Sequence, residues 1–112
     1  MFRQPLSVFR PMWLIAMFDL PVEELQDRRN YNRFRKALLK DGFMMLQLSV
    51  YARYLPSEEA AEAHRRRVRA AIPPLGQVRL LAVTDHQFGK MEVYFGRKLR
   101  EPEQPQSQLL LF

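Results

Sequence analysis

The sequence predicts an α+β domain in which helices cover one face of an antiparallel sheet. Three observations carry this. Runs rich in β-branched, aromatic and other apolar residues occur near 12–18, 44–55, 77–84 and 91–95, and such runs favour extended backbone. Two longer segments between them, near 27–41 and 57–72, show helical periodicity. Proline or glycine punctuates the junctions, at Pro21, Gly42, Pro56, Pro73, Pro74, Gly76 and Gly96.

The first strand is an unbroken apolar run, Met12–Phe18, followed by Asp19 and closed by Pro21. A single acid at the end of a buried strand suits chemistry, a helix cap or a turn equally well. The first helix is expected from Asp27, as N-cap, to Asp41, with Gly42 as its stop. Tyr31, Phe34 and Leu38 share one face at 100° per residue. Arg29, Arg33, Lys36 and Lys40 share the opposite face with no acid among them, which favours an anion-binding stripe over an ordinary solvated face.

Residues 44–55 alternate, with Leu46, Leu48, Val50 and Ala52 on one side and Gln47, Ser49, Tyr51 and Arg53 on the other. They read as a half-buried strand, bent or broken into a hairpin near Ser49. The second helix starts at Ser57 as N-cap, with Glu58 and Glu59 in the first turn, where the helix dipole favours acids. Ala61, Val68 and Ile72 form its apolar face. Arg65, Arg66, Arg67 and Arg69 crowd its later turns; Arg65, Arg66 and Arg69 join the candidate nucleic-acid surface, although cations also complement a helix C-terminus. Residues 77–84 form a strand, Asp85–Gly89 a turn, and Met91–Phe95 a short strand.

Length and charge bound the function. The 112 residues, 47% of them hydrophobic, suit one domain with a core. The absence of cysteine excludes disulfides, thiolate nucleophiles and cysteine zinc sites, and agrees with a cytoplasmic location. No apolar run approaches the ~20 residues a membrane span needs. The N-terminus, interrupted by Pro5 and Pro11, is not a secretory signal. Eighteen Lys and Arg against twelve Asp and Glu give a net charge of +6, which makes a polyanion the first partner to consider.

The order strand, helix, strand or hairpin, helix, strand, strand matches the β-α-β-β-α-β arrangement of ferredoxin-like folds. Residues 1–11 read as an extension, 12–96 as the domain, 97–106 as a polar linker and 107–112 as an apolar tail. The first strand is apolar on both faces: Trp13, Ile15 and Met17 against Leu14, Ala16 and Phe18. Helices cover only one, so a second copy is the simplest cover for the other, and a homodimer is expected. The tail Ser107–Phe112 is expected to add a strand to the partner protomer's sheet edge. The last six residues of that linker, Glu101–Gln106, reach roughly 20 Å.

Several of these residues together resemble a known family: Phe18-Asp19-Leu20-Pro21 after the first strand; Tyr31-x-x-Phe34-Arg35-x-x-Leu38 and Gly42-Phe43; Met45-Leu46-Gln47-x-Ser49-Val50-Tyr51; and Leu80-Leu81-x-Val83-Thr84-x-x-Gln87-Phe88. Their order and spacing resemble CRISPR-associated protein 2, the small subunit of spacer acquisition, in its type II branch. The resemblance spans about Met12–Phe95. It implies a ferredoxin-like homodimer that bridges dimers of the CRISPR integrase (CRISPR-associated protein 1) and holds double-stranded prespacer DNA. It also implies a Mg²⁺-dependent endonuclease activity on RNA or DNA, with Asp19 as the metal-binding and catalytic acid. Ser49 falls where the family has a serine that orients the acid or the metal's waters. Many members carry Tyr before the acid, and Phe18 lacks that hydroxyl.

One Asp per chain is a thin metal site, and two copies of Asp19 near a two-fold axis make a fuller one. Neither His64, on the apolar flank of the second helix, nor His86, in a turn, reads as a general base. The expected role is therefore a DNA-binding structural subunit of the adaptation complex, with cleavage secondary. The alternative is a free-standing metal-dependent endoribonuclease, like the toxin-type virulence-associated protein D family.

Overall fold

A computed structural model describes residues 10–105. Nine elements follow in order: β1 (Met12–Asp19), α1 (Leu25–Lys40), β2 (Met44–Gln47), β3 (Val50–Leu55), α2 (Glu58–Ala71), β4 (Gln77–Thr84), α3 (Asp85–Gly89), β5 (Val93–Phe95) and β6 (Lys98–Arg100). The first four strands form one sheet in the order β2-β3-β1-β4. Every neighbouring pair in it is antiparallel, which is the ferredoxin-like topology expected. β5 and β6 form a separate antiparallel pair. It takes in three residues of the segment read as linker.

β1 occupies the sheet interior because both of its faces are apolar. Met12, Leu14, Ala16 and Phe18 pack under the helices with Phe34 and Leu38 of α1 and Ala61 and Val68 of α2. On the other face Trp13 and Ile15 pack with Ala52 of β3 and Phe88 of α3. The rings of Trp13 and Phe88 stack with centroids 3.9 Å apart. Residues 85–89, expected as a turn, form a short helix. Thr84 and Gln87 form a reciprocal capping box, the T-x-x-Q spacing that starts helices. This corrects the reason for expecting a second copy over β1: the chain itself covers Trp13. In the middle of the same face, across from Ile15, Leu81 remains 49% exposed.

The helix ends obey local rules with one shift. α1 begins before the expected N-cap, because Glu24 caps it and Asp27, at the third helical position, accepts from the Glu24 backbone N–H at 3.2 Å. At its other end Phe43 N–H donates to the Leu38 carbonyl and Gly42 N–H to that of Leu39. Gly42 has φ +89°, the left-handed residue this six-to-one closure requires. Ser57 caps α2 as expected, its hydroxyl accepting from Ala60 N–H at 3.3 Å. Ile72, expected on the apolar face of α2, is instead its exposed C-cap.

Residues 44–55 are a hairpin. Leu48 and Ser49 make its turn, Ser49 at φ +64°. A register shift between Met45 and Gln47 accompanies the turn. The expected alternation holds for Leu46, Val50 and Ala52, which share the face of Trp13, and for Tyr51 on the opposite face; it breaks at the turn and in the expectation that only one face is apolar. Leu48, expected inward with Leu46, is 79% exposed, and Tyr51, expected opposite it, is fully buried. Residues 1–9 of the N-terminal extension and the tail Ser107–Phe112 lie outside the described residues.

Candidate nucleic-acid interface and the Asp19 strand end

Asp19 is the last residue of β1 and is exposed. Its position is set by three chain segments. The N–H of Phe18 donates to the Ser49 carbonyl at 3.0 Å, which ties the β2–β3 turn to the end of β1. Asp19 itself pairs with Gln77, the first residue of β4. Before Gln77, Gly76 runs so close to β1 that an added Cβ would stand 2.8 Å from the Asp19 carbonyl oxygen and 2.6 Å from Leu20 Cδ2. Only glycine fits that approach, and its φ of +102° suits glycine as well.

The Ser49 hydroxyl is engaged by the Tyr31 hydroxyl of α1 at 3.1 Å. Tyr31 also packs its ring 5.9 Å from that of Phe18. Phe18, where the resembling family often has tyrosine, packs edge-on against Phe34 and beside Tyr51. Asp19 lines an open cleft with Met17, Phe18, Gln77 and Arg79. Arg79, directly across from Met17, went unnoticed in the sequence. Its proximity to the acid depends on a strand register that no local pattern displays.

The donor set bears on a divalent cation. Among the described residues no group of three or more His, Asp or Glu side chains could hold a metal. One protomer thus offers a single carboxylate, Asp19. Mg²⁺ keeps several waters and is commonly held by only one or two carboxylates. The residues present therefore supply one carboxylate ligand to such a site, the lower of the two numbers such an ion commonly takes.

The cationic residues divide into two groups. Arg29, Arg33, Lys36 and Lys40 are all exposed on α1, on the face opposite the buried Phe34 and Leu38. None of the four forms an ion pair among the described residues. The arginines of α2 are engaged differently. Arg65 and Arg69 lie 3.3 Å and 3.6 Å from the same Glu62 carboxylate, and Arg67 binds Asp41. Arg66 is exposed and makes no ion pair among the described residues. His64 is buried against Asp41, and His86 is exposed on α3. Neither lines the Asp19 cleft.

The chain folds as a small ferredoxin-like domain, basic overall, with an acid at the end of its central strand and a cationic helix face that makes no ion pair among the described residues. Its family follows from comparison. The model of the family described as CRISPR associated protein Cas2 matches residues 12–91. The chain is 52% identical over 101 residues to a protein of Parvibaculum lavamentivorans named CRISPR-associated endoribonuclease Cas2, covering 90% of this chain and all of that one. A protein of the same name from Flavobacterium psychrophilum is 43% identical over 107 residues, or 96% of this chain and 93% of the relative. The chain belongs to the CRISPR associated protein Cas2 family, and its role is CRISPR-associated. No helix among the described residues is long and apolar enough to cross a membrane.

Proposed function

We propose that the chain is the double-stranded-DNA-binding structural subunit of the CRISPR adaptation complex, acting as a homodimer that bridges integrase dimers during spacer acquisition in the cytoplasm. The observation that carries this reading is the unpaired stripe Arg29, Arg33, Lys36 and Lys40. Four exposed cations on one helix face, free of internal carboxylates, suit a run of phosphates. A two-fold axis would double the run. Such contacts position a duplex without reading its bases. Arg65, Arg66 and Arg69 extend the positive field, but Glu62 offsets two of them. Exposed Leu81, across from Ile15 in the middle of the sheet face away from α1 and α2, supports burial against a second copy.

Mg²⁺-dependent cleavage is the second reading, favoured by the name that the relatives carry. Asp19 from each of two protomers would hold the ion, with Ser49, through its backbone contact to Phe18, fixing the strand end that presents the acid. When bound, the ion would polarise a phosphodiester. The chain's own contribution is to place the acid in an open cleft; no histidine lines that cleft to serve as general base.

Duplex binding measured against salt tests the first reading. If about six phosphates are neutralised, log K falls with log salt at a slope of roughly −5. Reversing the α1 stripe to glutamate should abolish most of this dependence. Salt-independent affinity would sink the stripe as the contact surface. Asp19→Ala separates the two readings: spacer acquisition that survives it supports the scaffold role, and joint loss of cleavage and acquisition supports the enzyme.

A further inference from the structure

We infer that Arg79 is a phosphodiester-binding residue of the Asp19 cleft, aimed by Gln77; this rests on the nucleic-acid reading above and extends it to the opposite face of the sheet. Along β1, Met17 and Asp19 point to the face away from α1 and α2, and in the antiparallel register Met17 faces Arg79 and Asp19 faces Gln77. The four side chains therefore share one face and line one cleft. Gln77 Oε1 accepts from Arg79 Nε at 3.2 Å. This holds the guanidinium by its inner edge and leaves both terminal nitrogens without a hydrogen-bond partner among the described residues. A planar pair of N–H donors so presented matches two oxygens of a phosphate.

Arg79, with only its Nε engaged, stands beside an acid that makes no ion pair among the described residues. Asp19 and Arg79 line the same cleft yet form no ion pair with each other. Gln77 occupies the arginine's third donor position, so the fork is directed rather than free to fold onto the acid. A cation and an anion that line one open cleft without pairing suit a phosphodiester entering with its oxygens toward Arg79. The glycine at position 76, pressed against the Asp19 backbone, fixes the spacing of the strand ends that carry Asp19 and Gln77.

The competing role for Arg79 is an ion pair with Asp19 of a second copy across the sheet face. One experiment decides between them. The whole chain, as wild type, Arg79→Gln, Arg79→Lys, Gln77→Ala and the α1 stripe variant, is titrated with a labelled DNA duplex over a range of salt, and each protein is sedimented. The Arg79 Nε–H resonance is followed by NMR on adding the duplex. Arg79→Gln is expected to weaken binding several-fold and to make the salt slope shallower by about 0.9, one phosphate contact. Arg79→Lys and Gln77→Ala keep the charge, so each should weaken binding with little change in slope, and the Nε–H resonance should shift only in proteins that retain Arg79. Unchanged affinity in Arg79→Gln, or an unmoved resonance, overturns the inference. So does a change in sedimentation with Arg79→Gln, which would assign the arginine to the second copy. If the stripe variant loses binding while Arg79→Gln keeps it, the function proposed above stands and this inference fails. If wild type binds no duplex, both fall.

Discussion

The Asp41 carboxylate, on the C-cap of α1, stands 2.6 Å from Nδ1 of His64 on α2. Its second oxygen takes Arg67 Nε at 2.8 Å, while its backbone carbonyl accepts from Arg53 Nε of β3 at 3.1 Å. One residue thus joins both long helices and the sheet. A buried imidazole needs a partner, because an unmet polar group inside a protein costs its desolvation.

Asp41→Ala should therefore destabilise the chain by about 1–3 kcal/mol, since it strands His64. Arg67→Ala should cost under about 1 kcal/mol, because that arginine is mostly exposed. Urea denaturation of both variants checks the ranking. Equal costs would mean that the guanidinium, and not the histidine, is the group that needs Asp41.

Phe88→Ala should cost about 3–5 kcal/mol, as loss of a fully buried aromatic side chain does. It also removes the ring stacked on Trp13, the chain's one tryptophan. Tryptophan emission should shift to the red in the folded variant. An unchanged emission and midpoint would show that Trp13 is covered by something other than α3.

Gly76→Ala should destabilise by about 1–3 kcal/mol, through a left-handed backbone and a forced contact with the Asp19 carbonyl. The same change should perturb the Asp19 and Gln77 backbone amides in an NMR spectrum. Wild-type stability would refute the close approach.

How much of this the sequence displayed depended on whether a feature is local. Ser57 as N-cap and Gly42 as helix stop were legible because each acts within a few residues. The start of α1 was missed by three residues, since Glu24 and Asp27 share a capping box with the acid roles spread over both. α3 was legible in principle from Thr84 and Gln87, but a five-residue helix has little periodicity to display. The pairing of Arg65 with Glu62 follows i,i+3 spacing and is legible in the sequence; that of Arg69, seven residues on, depends on the reach of its side chain along the helix. The Arg79 cleft could not, because it depends on which residue of β4 stands across from Met17.

Stability should also fall at high pH through Tyr54. Partial burial, and then the nearby Asp85 carboxylate, push its phenol above the ordinary value of 10.0. The folded state therefore holds this proton more tightly than the unfolded chain does. The contribution is fully present below about pH 10 and is lost as pH rises through the raised folded value. Comparing urea midpoints of wild type and Tyr54→Phe between about pH 8 and pH 11 isolates it from other lysines and tyrosines. The wild type should fall more steeply above about pH 10; parallel curves would exclude the linkage.

The tie from Phe18 N–H to the Ser49 carbonyl and the pairing of Asp19 with Gln77 have a kinetic meaning. Residues 18, 49 and 77 meet only after two long loops close, an entropic cost met late compared with hairpin or helix formation. A chain halted with its helices and the β2–β3 hairpin formed would own every residue of the cleft and yet no cleft. Occupancy of that strand end by a ligand would thus select the completed fold over its precursors, and ligand protection against protease would report the last step of folding.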